Sequence, residues 1–147
     1  MIIKFTCISG EELGHKLGDA VTLIESVLQA FFKDKKYGAD IDQVTLVAIA
    51  VDSDPVENEK FYKPNNKVGR YKDWICGETV KYISLALSFD PIVFNGLEET
   101  HMIRVICRYL LEKVNKLDVK IPKEFDCHAF TEDMRLAVEI YLKSLDS

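Results

Sequence analysis

Residues 80–90 read VKYISLALSFD, and this stretch decides the fold class. Large apolar residues occupy every second position, and smaller or less apolar residues lie between them. One face carries Ile83, Leu85, Leu87 and Phe89, and the other carries Tyr82, Ser84, Ala86 and Ser88. A period of two is that of a β-strand with one face against a core. The pattern therefore predicts a strand that ends before Pro91.

Three further stretches have strand character. Residues 68–75 form a second predicted strand. Cys76-Gly77-Glu78 joins it to the strand in residues 80–90 and is typical of a hairpin turn. Residues 43–51, QVTLVAIAV, are apolar on both faces, which favours a central strand covered on both sides. Residues 2–8 predict a strand at the start of the chain.

Apolar residues at intervals of three and four predict three helices. These helices run to about residue 33, from about 98 to 115, and from 131 to about 145. The expected inward residues are Leu17, Val21, Ile24, Leu28 and Phe31, then Ile103, Ile106, Leu110, Val114 and Leu117, then Met134, Val138 and Tyr141.

The helix starts are predicted from capping residues and glycines. Ser9 and Glu12 have the spacing of a capping box. Gly14 and Gly18 weaken a helix by about 1 kcal/mol each relative to alanine, so we expect regular helix only near Asp19. Thr131 is the predicted N-cap of the last helix.

The order of elements is strand, helix, three strands and two helices (β-α-β-β-β-α-α). Successive strands with hairpin-like connections favour antiparallel pairing. We therefore predict an α+β fold, with a mainly antiparallel sheet of about four strands packed with three helices. Its 147 residues are most simply one domain, 1–147, with a core of its own.

Composition excludes several classes of protein. The net charge of −5 argues against general binding of nucleic acid, and it suits a basic protein partner. The apolar runs are shorter than a membrane span, and the N-terminus does not resemble a signal peptide, so we expect a cytoplasmic protein. Four scattered cysteines, Cys7, Cys76, Cys107 and Cys127, are expected to be reduced and mostly buried.

The glycine-rich stretch after the first strand does not form a phosphate loop. Gly10, Gly14 and Lys16 miss the spacing of that motif, and Leu17 stands where it needs Ser or Thr. The chain has one Glu-x-x-His pair, Glu98 and His101, whereas a di-iron bundle needs two such pairs. Cys127 and His128 are adjacent and cannot act as nucleophile and base without help. No cofactor and no metal is predicted.

One alternative is enzymatic. Asp52 and Asp54 follow an apolar strand, as in the first motif of haloacid-dehalogenase-type phosphatases, where one aspartate is the nucleophile and magnesium lies beside it. The later acidic pair of that family has no clear counterpart in this chain. The alternative function is therefore a small Mg-dependent phosphatase-like enzyme that uses Asp52 and Asp54.

The layout of the chain carries a different resemblance. Residues 5–31 give a strand that ends in Ser-Gly-Glu and then a long helix. Residues 37–54 open with Tyr-Gly before an apolar strand, and residues 67–114 give a hairpin, the motif Phe-Asp-Pro-x-x-Phe and a helix. Over residues 1 to about 117 this resembles the small immunity proteins of bacterial polymorphic-toxin and contact-dependent growth-inhibition systems.

The resemblance implies a binding protein without catalysis. Such immunity proteins act as antitoxins: each binds one cognate toxin domain in the cytoplasm, often a nuclease such as a tRNase. They block the active site of the toxin or its access to substrate. The implied partner is therefore a protein, with no direct contact to nucleic acid or membrane.

A nuclease site is basic, so its inhibitor should present acids and aromatic anchors. The densest such neighbourhood lies between residues 52 and 74. Its members are Asp52, Asp54, Glu57, Glu59, Phe61, Tyr62, Tyr71 and Trp74. We predict that they bind the toxin; the alternative is an ordinary solvated loop beside an edge strand.

Overall fold

A computed structural model gives the fold of the chain. It describes residues 1–10, 13–38, 40–51, 67–72, 77, 79–115 and 123–146. For Lys67, Val68, Tyr71 and Lys72 the description covers the backbone alone.

The described residues form four strands, three α-helices and one short 3-10 helix. The strands are β1 (Ile2–Ser9), β2 (Gln43–Ala50), β3 (Lys67–Lys72) and β4 (Thr79–Ser88). The helices are α1 (Gly14–Phe32), α2 (Glu99–Asn115) and α3 (Cys127–Leu145), and the 3-10 helix is Pro91–Phe94. The predicted order of elements and the α+β class are confirmed.

The sheet is mixed rather than mainly antiparallel. Its order is β1-β2-β4-β3, with β1 parallel to β2, β2 parallel to β4, and the hairpin β3–β4 antiparallel. Helix α1 crosses between β1 and β2, and such a crossover returns the chain in the same direction. The predicted hairpin is present, but β4 inserts beside β2 and leaves β3 at the edge. Hairpin spacing in the sequence does not reveal that insertion.

One face of the sheet carries the core. Ile3 and Phe5 of β1 lie beside Val44 and Leu46 of β2, which in turn lie beside Ile83 and Leu85 of β4. These side chains form a single buried cluster with the inner faces of all three helices. Helix α1 packs on β1, and α3 packs chiefly on α1 and α2. The predicted inward residues of α2 are buried, apart from Leu117, which lies outside the described residues.

Two side chains of α1 hold the outer edge of β1. The backbone N–H of Ile3 donates to Gln29 Oε1 at 2.8 Å, and that of Phe5 donates to Glu25 Oε2 at 2.7 Å. Gln29 Nε2 also donates to the carbonyl of Met1. An exposed strand edge is a template for unwanted pairing, and these bonds satisfy its donors from within the chain.

Helix α1 begins earlier than predicted. It is regular from Gly14, its N-cap position is Leu13, and no side chain caps it. Ser9 ends β1 instead of capping the helix, and Glu12 lies outside the described residues. Tertiary packing overrides the low helix propensity of glycine here, because Leu17 is completely buried one turn after the helix start. At the other end Phe32 is completely buried, whereas the predicted Phe31 is only half-buried.

Helix α3 also begins earlier, at Cys127, so Thr131 is not its N-cap. Asp126 is the cap, and its Oδ1 accepts from the N–H of Ala129 at 3.0 Å. The early start places Phe130 inside the core, where its ring lies 5.7 Å from that of Phe32 and 5.5 Å from that of Tyr37. Met134 and Val138 face inward as predicted, and Tyr141 is half-buried.

The Tyr-Gly pair before β2 joins this helix to the rest of the molecule. The N–H of Asp126 donates to the carbonyl of Tyr37 at 2.7 Å, and the Tyr37 hydroxyl donates to Asp133 Oδ2 at 2.7 Å. Burial, together with the bond to Asp133, raises the pKa of the Tyr37 hydroxyl. Gly38 has φ +91°, and a Cβ placed there would lie 2.3 Å from the carbonyl oxygen of Glu124.

Gly38→Ala should destabilise the protein, since its backbone conformation and the Glu124 carbonyl both exclude a side chain. Backbone strain of this kind costs about 1–3 kcal/mol, and the steric contact adds to it. The matched control is Gly18→Ala in α1, where a Cβ meets no atom within 4 Å and alanine should stabilise by up to about 1 kcal/mol. Urea unfolding of both variants measures the difference. Equal stabilities would contradict the role of Gly38.

The described cysteines are free thiols in different surroundings. Cys107 is fully buried in the core, whereas Cys7 and Cys127 are half-buried. Burial raises the pKa of the Cys107 thiol to about 12. Burial also raises the pKa of Cys7, against a smaller opposing effect of its hydrogen bond with Ser9. Cys76 lies outside the described residues.

Cys107 should resist alkylation in the folded protein, because the thiolate is the reactive form and burial disfavours it. We expect iodoacetamide near pH 8 to modify Cys127 first and to reach Cys107 only after unfolding in urea. Because the folded state keeps the Cys107 proton, folding stability should also fall as pH rises above the ordinary thiol value of 9.0. Peptide mass spectrometry after timed labelling measures the order. Equal rates for both residues in the folded protein would contradict it.

Candidate functional site

The three parallel strands end together at one edge of the sheet. Ser9 of β1 lies beside Ala50 of β2, and Ile49 of β2 lies beside Ser88 of β4. We call this the carboxyl edge, made of residues 9–10, 50–51 and 88–90. The N–H of Phe89 donates to the carbonyl of Ile49 at 2.7 Å and extends the pairing beyond β4. In open sheets with parallel strands, binding sites occur preferentially at such an edge.

The motif Phe-Asp-Pro-x-x-Phe forms a rigid turn at the carboxyl edge. Asp90 caps the 3-10 helix, its Oδ1 accepting from the N–H of Ile92 at 3.1 Å, and Pro91 supplies a fixed φ at the first turn. Phe94 is fully buried, and its ring lies 5.1 Å from that of Phe89. The turn therefore holds its two aromatic residues inward.

Two aliphatic side chains of this turn point outward. Ile92 is 68% exposed and Val93 is 44% exposed, which makes Ile92 the most exposed large apolar residue in the described part of the chain. Scattered exposed apolar residues are ordinary, but an adjacent pair on a rigid turn is a candidate contact surface.

A groove of about 610 Å³ lies between this turn and helix α2. Helix α2 contributes Val105, Arg108, Tyr109 and Glu112, whose spacing places them along one face of the helix. The end of β4 and the turn contribute Phe89 and Val93. The rings of Phe89 and Tyr109 are 4.7 Å apart and form an aromatic floor. We call this the FDP groove.

The charged side chains around the FDP groove differ in the interactions that they make within the chain. The Lys113 ammonium lies 5.4 Å from the centre of the Tyr109 ring. Arg108 and Glu112, both exposed, form no ion pair with any described residue.

A second groove, of about 470 Å³, lies at the opposite end of the sheet and is lined by Met1, Ile2, Lys35, Lys36, Gly38, Asp40, Ile41 and Asp42. Two of its charged residues are paired within the chain, Lys35 with Asp133 at 3.7 Å and Asp40 with Lys81 at 3.1 Å, whereas Lys36 and Asp42 form no ion pair with a described residue. The Lys81 ammonium lowers the pKa of the Asp40 carboxyl.

The residues predicted to bind a toxin fall mostly outside the described part. Those outside it are Asp52, Asp54, Glu57, Glu59, Phe61, Tyr62 and Trp74. Tyr71 lies on β3 opposite Val80, with its backbone alone described. The segment that carries most of these residues leaves the sheet after Val51, at the carboxyl edge, and the chain is next described at Lys67. Their predicted role stays a prediction.

The described residues do not assemble a metal or nucleophile site. His15, His101 and His128 are exposed, and no group of three His, Cys, Asp or Glu residues within the described ranges is placed to hold a metal ion. β2 is a central parallel strand, the context that the phosphatase alternative needs for Asp52 and Asp54. The carboxylate at the neighbouring strand end, Asp90, is engaged in capping the 3-10 helix.

Sequence reasoning did not predict the FDP groove. The motif itself was visible, but it served only as part of a resemblance. The face of α2 that lines the groove carries Val105 and Tyr109 beside Arg108 and Glu112, and such mixed composition reads as an ordinary solvated face. Only the packing of the turn Pro91–Phe94 against α2 brings the motif and this face of the helix together.

In the described residues, no helix is long and apolar enough to cross a membrane.

Comparison with known proteins places the chain in a family. Neither the curated proteins nor the solved structures gave a match. The family model described as Immunity protein 44 matches residues 1–139, which include the Tyr-Gly junction, the FDP groove and most of α3. The match confirms the resemblance to immunity proteins of polymorphic-toxin systems, and the chain belongs to the immunity protein 44 family.

Proposed function

We propose that this protein binds a cognate bacterial toxin domain in the cytoplasm and neutralises it without catalysis, by covering the active site of the toxin or its access to substrate. The family match is the single observation that carries the proposal. The proposed toxin is a nuclease, such as a tRNase, delivered by a contact-dependent growth-inhibition or related polymorphic-toxin system.

Charge supports a nuclease as the target. The chain has a net charge of −5, and four acids stand at positions 52, 54, 57 and 59 directly after β2. A nuclease must hold phosphates and is therefore basic around its site. Opposite fields accelerate the encounter of the two proteins and orient them before contact.

The turn at the carboxyl edge and the FDP groove beside it support a binding role, because they present a rigid, partly apolar surface with charged side chains. Ile92 and Val93 are exposed there, and the residues predicted to bind the toxin begin one position after Val51. We propose that Asp52, Asp54, Glu57, Glu59, Phe61, Tyr62, Tyr71 and Trp74 contribute to the contact.

The direct test uses the toxin domain encoded immediately upstream of the gene for this chain. The purified protein should form a stable complex with that domain in a pull-down, and co-expression should restore growth of cells that carry the toxin. A C-terminal domain from an unrelated toxin is the control and should not be retained.

Two results would contradict the proposal. The first is the absence of complex and of protection with the adjacent toxin domain. The second is magnesium-dependent hydrolysis of a generic phosphoester by the wild-type protein that Asp52→Asn abolishes, which would favour the phosphatase alternative.

Charge reversal in the acidic segment should slow association with the toxin domain. For Glu57→Lys combined with Glu59→Lys, we expect the association rate constant to fall about tenfold at low salt and to depend less on ionic strength, because the favourable field is weakened. Stopped-flow mixing at several salt concentrations measures both quantities. The control is Asp34→Lys combined with Glu139→Lys, two exposed acids that form no ion pair with a described residue, which makes the same change in net charge elsewhere. Unchanged kinetics for the Glu57/Glu59 variant would place the interface away from this segment.

A further inference from the structure

We propose that the FDP groove receives an apolar anchor side chain of the toxin domain, with a neighbouring basic residue of the toxin paired to Glu112. This inference rests on the proposed function and adds the place and chemistry of the central contact.

The groove has the form of an anchor pocket. Its floor is the pair Phe89 and Tyr109, whose ring centres are 4.7 Å apart with the planes tilted by 51°, and Val93 and Val105 supply aliphatic surface beside it. Its volume of about 610 Å³ lies within the range of ligand-binding clefts. Binding energy at protein interfaces concentrates where such a pocket takes up one large side chain and excludes water.

The groove is also rigid before binding. Asp90 caps the 3-10 helix, Pro91 fixes its first turn, and Phe94 is fully buried beneath it. On the other side, α2 is anchored through the buried residues Ile106 and Leu110, on the face opposite the groove. A preformed pocket loses little conformational entropy on binding, so more of the contact energy appears as affinity.

The charges at the groove suit a protein segment that carries a basic residue. Glu112 lines the groove without an ionic partner in the described ranges, and the ammonium of Lys113 is already placed over the Tyr109 ring. Arg108, which also forms no ion pair with a described residue, can bind an acid or a carbonyl at the rim of the contact. A polar rim of both signs around an apolar floor is typical of protein–protein interfaces.

Position places the groove beside the end of β2. Phe89 bonds to Ile49 of β2, and Asp52, the first of the acids predicted to bind the toxin, is three residues after Ile49 in the sequence. The same toxin domain can therefore contact the groove and the acids that follow β2 in the sequence. The acids steer the encounter, and the groove holds the complex.

The test measures binding kinetics of groove variants with the toxin domain encoded upstream of this gene. Val93→Asp should weaken the complex at least about tenfold, mainly through faster dissociation, since a charge enters an apolar contact. Glu112→Lys should weaken it roughly fivefold or more, mainly through slower association. Neither residue is buried, and thermal unfolding establishes that each variant is folded.

Matched controls lie on the outer face of α3 and do not line the groove. Leu136→Asp makes the same kind of change at a residue that is 49% exposed, close to the 44% of Val93, and Glu139→Lys matches Glu112→Lys. Both controls should bind within about twofold of the wild type, as is usual for contacts outside a hot spot.

The outcomes separate this inference from the proposed function. If the wild type binds and the groove variants bind equally well, the groove is not the anchor site, and the proposed function stands. The same conclusion follows if the control variants lose as much affinity as the groove variants. If the wild type does not bind the toxin domain at all, the proposed function itself fails. If Val93→Asp instead abolishes self-association measured by light scattering and leaves toxin binding unchanged, the groove joins two copies of the chain and the inference is overturned.

Discussion

The contact between the Tyr37–Gly38 turn and the segment before α3 holds the two halves of the molecule together. The strands and α1 form one unit, and α3 comes from the far end of the chain. Tyr37 joins them in three ways: its carbonyl accepts from Asp126, its hydroxyl donates to Asp133, and its ring packs against Phe125 and Phe130. Gly38 lets the two backbones approach to a distance that any side chain would prevent. The ion pair of Lys35 with Asp133, at 3.7 Å, adds a second polar link between the same two regions.

Hydrogen bonds within the chain also stabilise the edge of the sheet. β1 is an edge strand, and its outward amides at Ile3 and Phe5 bond to Gln29 and Glu25 of α1. The helix that covers the inner face of the sheet thus also covers part of its edge. On the other side of the sheet, the Tyr82 side chain of β4 lies against Gly69 of β3. A Cβ at position 69 would lie 2.8 Å from the Tyr82 hydroxyl. The FDP groove, with Arg108 and Glu112, lies at the carboxyl edge of the sheet.

A packed, hydrogen-bonded scaffold with an exposed apolar and charged surface at the carboxyl edge suits a protein that must bind one partner. Phe94, the last residue of the motif Phe-Asp-Pro-x-x-Phe, is fully buried and belongs to the scaffold, whereas Ile92 and Val93, its two x positions, are exposed. Rigid turns that expose changeable side chains are a common way to vary specificity without changing the fold.

Local patterns in the sequence were sufficient for the strands, the helices and their order, because alternation in β4 and the helical stripe from Leu17 to Leu28 depend only on neighbouring residues. They were also sufficient for the resemblance to immunity proteins. They misplaced the starts of α1 and α3, since the burial of Leu17 and Phe130 depends on partners far along the chain. Parallel pairing of β4 with β2 and the FDP groove were decided only by the tertiary structure. A strand inserts, and a turn meets a helix, according to which distant surfaces pack together, and no local period in the sequence encodes that choice.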